Sequence, residues 1–305
     1  MNGELLTYKS SGKFLITAEY LILKGATGLA LPLKHGQTLT VLKNSTQVVH
    51  WKSKVHDDIW FDAKFVVDDF RIIHTNQEEV ARVLQNVLTQ ARILNPHFIT
   101  TGAEATIAAD FNLAWGLGSS STLINNLALW AEVNPYSLLE KTFGGSGYDI
   151  ACAGAKGPLT YCLTETGRIV KEVPFQPGFS DHIFFVYLGK KMNSRTGMSY
   201  FKEKARYTQK EITEINQITD QIITCKSLSD FENLLNRHEH ILSAILQMPT
   251  VKTSHFNDYG YSIKSMGAWG GDFVLVTGEN LEQVKNYFNR KGLDTIIPYQ
   301  DMVLS

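Results

Sequence analysis

The sequence predicts an α+β fold in two domains, and three observations lead there. A chain of 305 residues exceeds the comfortable size of one hydrophobic core. Its first part is rich in strand patterns, which later alternate with strongly periodic helices. The segment Pro174-Phe175-Gln176-Pro177-Gly178 punctuates the middle of the chain, so residues 1–175 and 176–305 read as an N-terminal and a C-terminal domain.

Phe14 to Leu23, Thr38 to Leu42, Gln47 to Trp51 and Ile59 to Val67 carry the β-branched and aromatic residues of strands, with Lys43-Asn44-Ser45 as a hairpin turn. Val80, Val83, Leu84, Val87, Leu88, Ala91 and Leu94 then recur at helical spacing. Asn76 with Glu79 forms an N-terminal box for that helix, and Asn95-Pro96 stops it. Ala103 to Ala109 alternates as a strand and feeds a glycine loop. The helix that follows has Leu123, Ile124, Leu127, Ala128 and Ala131 on one face, and Asn134-Pro135 starts a short second helix with Leu138, Leu139 and Glu140. Strands are expected near Leu159 to Leu163, Ile169 to Val173 and Ile183 to Leu188. Ile212, Ile215, Ile218 and Ile222 mark one helix of the second half, and Phe231, Leu234, Leu235, His238, Leu242 and Ile245 another. A strand from Phe273 to Thr277, a helix around Leu281 to Phe288 and a strand from Leu293 to Ile297 complete the pattern.

Composition narrows the function. A formal charge of -1 leaves no electrostatic footprint for nucleic acid. No apolar run approaches the roughly 20 residues of a spanning helix, and Met1-Asn2-Gly3-Glu4 lacks the basic start of a signal peptide, so a cytoplasmic protein without membrane contact is expected. Cys152, Cys162 and Cys225 are odd in number and show no Cys-x-x-Cys pair, and they read as small buried hydrophobes. His238 and His240 lie two apart, which on a helix puts them on different faces, so they are not a metal pair; His238 falls on the apolar stripe and packs.

The most informative stretch is Gly116-Leu117-Gly118-Ser119-Ser120-Ser121-Thr122, a glycine turn joined directly to a helix. Glycines allow close backbone approach to a ligand, and the N–H groups of a helix's first turn are ready anion donors. A P-loop would need Lys where Ser119 stands, a dinucleotide fingerprint would need Gly or Ala at Ser121, and a nucleophile elbow around Ser146 would need Gly at Tyr148. Taken alone, the stretch is a phosphate cradle or a serine-rich helix cap.

Two further glycine segments flank it in order: Ser10-Ser11-Gly12-Lys13-Phe14-Leu15-Ile16-Thr17-Ala18-Glu19-Tyr20, and Lys264-Ser265-Met266-Gly267-Ala268-Trp269-Gly270-Gly271-Asp272-Phe273. Together with Gly145-Ser146-Gly147-Tyr148-Asp149, they make the chain resemble the GHMP kinases over most of its length. The pattern is nearest that of mevalonate and phosphomevalonate kinases. Four positions depart from the family: its loop-opening Pro is absent near Phe111 and Asn112, Ala18 replaces a Gly, and Met266 and Trp269 interrupt the third segment. The resemblance implies a two-domain GHMP kinase fold, with an N-terminal domain like domain 2 of ribosomal protein S5, a ferredoxin-like C-terminal domain, and a site between them.

Phosphoryl transfer needs the triphosphate held, the acceptor aligned and its proton taken up. The resemblance implies that ATP is held by Gly116, Leu117, Gly118, Ser119, Ser120 and Ser121, and Mg²⁺ by Ser120 and Glu140. It implies Asp149 as the base or orienting carboxylate with Lys13 beside it, and Glu19, Ser146, Gly147, Tyr148, Arg195, Gly267 and Ala268 around a small anionic substrate, which Arg195 would grip as a planar fork. It also admits a homodimer. Asp149 has a bland alternative as the cap of a helix starting at Ile150, and Lys13 as a solvated strand-end lysine. Mevalonate or phosphomevalonate leads as acceptor. A sugar or polyol kinase, a catalytically silent nucleotide-binding regulator and a diphosphomevalonate decarboxylase, whose Ser-x-x-Gly-Met pattern resembles the one ending at Met198, stand as alternatives.

Overall fold

The computed structural model describes residues 4–189, 194–267, 269 and 272–305, except the side chains of 194–196. The chain forms two compact units: Met1–Gly12, His35–Leu113 and Leu117–Gly154 make the first, and Lys13–Lys34, Ala114–Gly116 and Ala155–Ser305 the second.

The first unit holds the N-terminal part of β1 (Leu5–Leu15), the C-terminal part of β2 (Gly28–Lys43), β3 (Val48–Val55), β4 (Asp58–Val66), β5 (Ile72–Thr75), α1 (Glu78–Leu94), β6 (Ala103–Ala109), α2 (Ser119–Ala131), α3 (Pro135–Lys141) and α4 (Tyr148–Gly154). Its strands run in the order β5-β4-β3-β6-β2, and β1 pairs with β2. Alternate residues of the strands, among them Trp51, Phe61, Phe65 and Ile107, are buried with Leu84 and Leu88 of α1 and Ile124 and Leu127 of α2. Each such side chain contributes on the order of 1.5–3 kcal/mol when fully removed from water.

Three local expectations are corrected here. The expected hairpin at Lys43-Asn44-Ser45 does not form, because β6 inserts between β2 and β3, antiparallel to the first and parallel to the second. A turn signal marks where the chain bends but not which strands then pair. Asn76 does not box the helix; its side chain accepts from the Asp62 N–H at 3.0 Å and donates to the Trp60 carbonyl, tying the loop to β4, and Gln77 takes the cap position. The apolar run from Phe14 to Leu23 is strand only as far as Leu15. Beyond it the backbone turns through left-handed Ala18 (φ 68°) and Tyr20 (φ 63°) into a 3₁₀ turn at Leu21–Lys24. A buried turn and a buried strand carry the same apolar composition, so the sequence pattern could not separate them.

α2 is buried on more than its apolar stripe. Ser10 donates to the Asn126 side-chain oxygen at 2.7 Å and accepts from Asn125 at 2.9 Å, Asn126 donates to the Gln37 carbonyl at 3.0 Å, and Thr122 donates to the Gln37 side chain at 2.8 Å. These bonds fix the helix against β1 and β2 in both rotation and register, which apolar contacts alone do less sharply.

The second unit contains β7 (Leu159–Thr164), β8 (Gly167–Glu172), β9 (Ile183–Tyr187), α5 (Ser194–Lys204), α6 (Gln209–Thr224), α7 (Leu228–Leu246), α8 (Val251–His255), β10 (Ile263–Ser265), β11 (Phe273–Thr277), α9 (Leu281–Asn289), β12 (Ile296–Pro298) and α10 (Tyr299–Met302). β9, β10, β11 and β12 form an antiparallel sheet in the order β10-β11-β9-β12. With helices between its first and second and its third and fourth strands, this is the ferredoxin-like βαββαβ arrangement. β7 pairs with Gly28–Ala30 of β2 and with β8. α6 starts at a Thr208–Glu211 capping box and α7 at Ser227, as the local sequence chemistry favours. Among the described residues no helix is long and apolar enough to cross a membrane. Cys152 is buried, whereas Cys162 and Cys225 are half-buried, so only the first is the buried hydrophobe expected.

Asn126→Leu removes the acceptor of Ser10 and the donor to Gln37 in one step. It is expected to destabilise the protein by about 3 kcal/mol in urea denaturation, because two buried polar groups lose their partners. A change within a few tenths of a kcal/mol would deny the network its role in seating α2.

Candidate phosphate-binding site

The glycine loop delivers α2 with an open N-terminus. Gly118 is the N-cap in left-handed conformation (φ 95°) and offers no side-chain acceptor, and its carbonyl takes the first helical bond, from Thr122 N at 3.0 Å. The N–H groups of Ser119, Ser120 and Ser121 have no intrahelical acceptor by the geometry of an α-helix, and the helix dipole adds partial positive charge there. The hydroxyls are not used alike. Ser121 turns back to the Gly118 carbonyl at 2.8 Å and Thr122 to Gln37, while Ser119 is half-buried and Ser120 exposed. An anion at this end would thus meet backbone N–H groups first.

Close approach shapes the loop as well. A Cβ at Gly12 would stand 2.8 Å from the Leu117 carbonyl oxygen and 3.0 Å from that of His35, so β1 can pass the loop only as glycine. A Cβ at Gly116 would stand 1.8 Å from Asp272 Oδ2, with φ already at +68°.

The Gly145-Ser146-Gly147 run enters α4, which packs on α2 within the same unit. Ile150 N and Ala151 N both donate to the Gly147 carbonyl at 3.1 Å, so the helix begins before Asp149. Asp149 is the second residue of α4, and the reading of it as the cap of a helix starting at Ile150 is corrected: the carbonyl that starts the helix belongs to Gly147. Ser146 is buried and accepts from Tyr148 N at 3.5 Å. Glu140 is exposed on α3, which also packs on α2. A nucleotide-bound Mg²⁺ takes one or two protein oxygens besides phosphates and water, and the exposed Ser120 hydroxyl and Glu140 carboxylate are donors of that type. Among the described residues no three His, Cys, Asp or Glu side chains are grouped to hold a metal ion by themselves.

The remaining candidates belong to the second unit. Lys13 is half-buried near the end of β1, and Gly267 is left-handed (φ 71°). Arg195 lies in the first turn of α5, with its side chain outside the described residues, as Ala268 is altogether.

Glu19 is not an open substrate-facing acid. Its carboxylate is buried and accepts from the fully buried Lys264 ammonium, which also donates to the Ser265 carbonyl at 2.9 Å and stands 3.6 Å from Glu239 Oε1. His238, also fully buried, accepts from Ala18 N at 3.0 Å through Nε2, which places its proton on Nδ1. Burial pushes Glu19 up to about 7, with Lys264 opposing and Glu239 adding; burial likewise raises Glu239, and burial with the Lys264 charge drives His238 well below its ordinary range. Lys264 and Asp272 stand in the third glycine segment but were given no site role from sequence, and Glu239 was not singled out.

Between pH 4.5 and about 7 the unfolded chain has released the Glu19 proton that the folded chain still holds, so this group's contribution to stability falls as pH rises through that window. The stability of the parent minus that of Glu19→Gln is expected to descend by up to about 3 kcal/mol across it and to be flat on either side. His238 acts in the opposite direction but is common to both proteins and cancels. Urea denaturation across pH measures the difference, and a level curve would contradict the buried carboxyl.

No protein-family model matches the chain, and no curated protein matches it. Solved structures do. A mevalonate kinase covers 96% of this chain and 98% of its own at 15% identity and a TM-score of 0.71. Phosphomevalonate kinase of Streptococcus pneumoniae, solved with phosphomevalonate and AMPPNP, covers 96% and 99% at 13% identity and 0.69. Galactokinase of Lactococcus lactis, solved with galactose, covers 99% and 95% at 13% identity and 0.69.

Proposed function

We propose that this chain, which has the GHMP kinase fold, is an ATP-dependent kinase acting on a small molecule. The observation that supports the reading most is the open N-terminus of α2. A left-handed glycine presents three first-turn N–H groups, and the approach of the neighbouring backbone at Gly12 leaves no room for a side chain. Such a terminus suits the triphosphate of ATP, with Mg²⁺ on Ser120 and Glu140 neutralising the rest of its charge.

In this reading the acceptor's proton passes to Asp149, on the helix packed against α2, or is oriented by it. Lys13 offsets charge on the transferring phosphoryl group. The acceptor is a mevalonate-pathway metabolite, mevalonate through its hydroxyl or phosphomevalonate through its phosphate, with Arg195 binding its anionic end. A sugar or polyol acceptor is the second reading, favoured by the likeness to a galactokinase at the same TM-score as the phosphomevalonate kinase. Purified protein assayed for ATP turnover against mevalonate, phosphomevalonate, diphosphomevalonate and neutral sugars decides between them. Turnover is expected with an anionic acceptor. Turnover with sugars alone would favour the second reading, and ATP binding without turnover on any of them a regulator.

Asp149→Asn is expected to lower kcat by about two or more powers of ten with ATP affinity nearly unchanged. If Lys13 acts through Asp149, the Lys13→Met, Asp149→Asn double variant should be scarcely slower than the slower single variant. Additive losses would mean that the two residues work separately.

A further inference from the structure

Lys264 is fully buried in β10, between Ile263 and Ser265, and lysine almost never occupies such a position without a reason. Stability does not supply the reason, since a buried ion pair is commonly no better than well-packed apolar side chains of the same volume. What the lysine does supply is convergence. Its ammonium joins Glu19 in the turn after β1, the Ser265 carbonyl at the end of its own strand, and Glu239 of α7, whose carboxylate also accepts from the Ser265 hydroxyl at 3.2 Å. Glu19 Oε2 and Glu239 Oε1 have no hydrogen-bond partner among the described residues, so Lys264 is the charge that both acids answer to.

From this anchor the chain runs on through the third glycine segment, and Met266, Trp269 and Asp272 are tied down in turn. Met266 N donates to the Phe273 carbonyl at 3.1 Å. Trp269 N donates to the Tyr20 hydroxyl at 2.9 Å, its indole N–H donates to the Pro249 carbonyl at 3.1 Å, and its side chain is buried. Leu188 N donates to the Asp272 carbonyl at 2.9 Å, and the Asp272 carboxyl occupies the space where a Gly116 side chain would be.

We propose that Lys264 is a positioning residue: gripped by Glu19 and Glu239, it sets the described residues of the third glycine segment so that Asp272 lies against Gly116 and holds the entry to the phosphate loop in its nucleotide-ready shape. The effect on nucleotide rests on the kinase reading, whereas the hold on the segment itself does not.

The test compares the full-length parent with Glu19→Gln, Lys264→Met, a paired change that removes both charges at similar volume, and with the milder Glu239→Gln. Hydrogen exchange read by mass spectrometry should speed up by about tenfold or more in residues 264–273 of the paired variant, and by about threefold in Glu239→Gln, with peptides from α2 and α6 unchanged. A merely structural loss would raise exchange throughout the chain. Calorimetry with ATP should show its dissociation constant rising by about tenfold in the paired variant. Parental exchange in 264–273 of the folded variants, a uniform rise, or unaltered ATP affinity beside a local rise would each overturn the proposal. If the paired variant does not fold, Glu239→Gln carries the same decision. A parent that binds no ATP would remove the kinase reading, and the exchange pattern would still decide whether Lys264 holds the segment.

Discussion

The constraint on which the first unit depends is that the start of α2 must be firmly seated and yet left open. A helix end normally satisfies its first N–H groups with a capping side chain, worth about 1 kcal/mol. Here the cap is glycine, and that stabilisation is forgone. The seat is made elsewhere, along the polar face of the helix, where Thr122, Asn125 and Asn126 engage Ser10 and Gln37. Moving the hydrogen bonding from the end of the helix to its flank leaves the end available to an anion while its direction stays fixed. Gly12 completes the arrangement, because any side chain there would push β1 off the Leu117 carbonyl.

The second unit solves a different problem with charge. Two acids, a lysine and a neutral histidine are buried together, and such a group is tolerated only when its members compensate one another. The compensation is incomplete by geometry: one ammonium faces two carboxyls, and His238 spends Nε2 on the Ala18 N–H and so brings no positive charge. Burial is the physical origin of the raised Glu19 and Glu239, and the one shared ammonium offsets it only in part.

Much of this was legible in the sequence, and what was not has a common cause. The strands Ala103–Ala109 and Phe273–Thr277, the Asn134 cap and the helices around Ile212 and Phe231 follow from periodicity and local capping chemistry, which are properties of neighbouring residues. The insertion of β6 between β2 and β3, the Asn76 bonds to β4 and the partners of Lys264 depend on residues far apart in the chain, and no local pattern encodes them. The glycine loop was found because its physics is local. The conversion of Glu19 from an apparent substrate ligand to a buried ion-pair partner required Lys264, 245 positions away.

Two positions where the chain departs from the family pattern give the same lesson in reverse. Ala18 keeps a left-handed φ of 68°, a conformation that costs an L-residue roughly 1–2 kcal/mol, and its N–H is held there by His238. Trp269, which interrupts the third glycine segment, is buried, bonded through its backbone to Tyr20, whose ring stacks on Phe201 at 5.2 Å, and through its indole to Pro249. In both cases the departing residue, or the turn that carries it, is fixed by partners brought from α5, α7 or the residues leading into α8. A glycine supplies a turn by permitting a conformation; these residues supply it by being held in one. A segment built in the second way has fewer conformations to lose when a ligand arrives, and it transmits a shift at one anchor to the others.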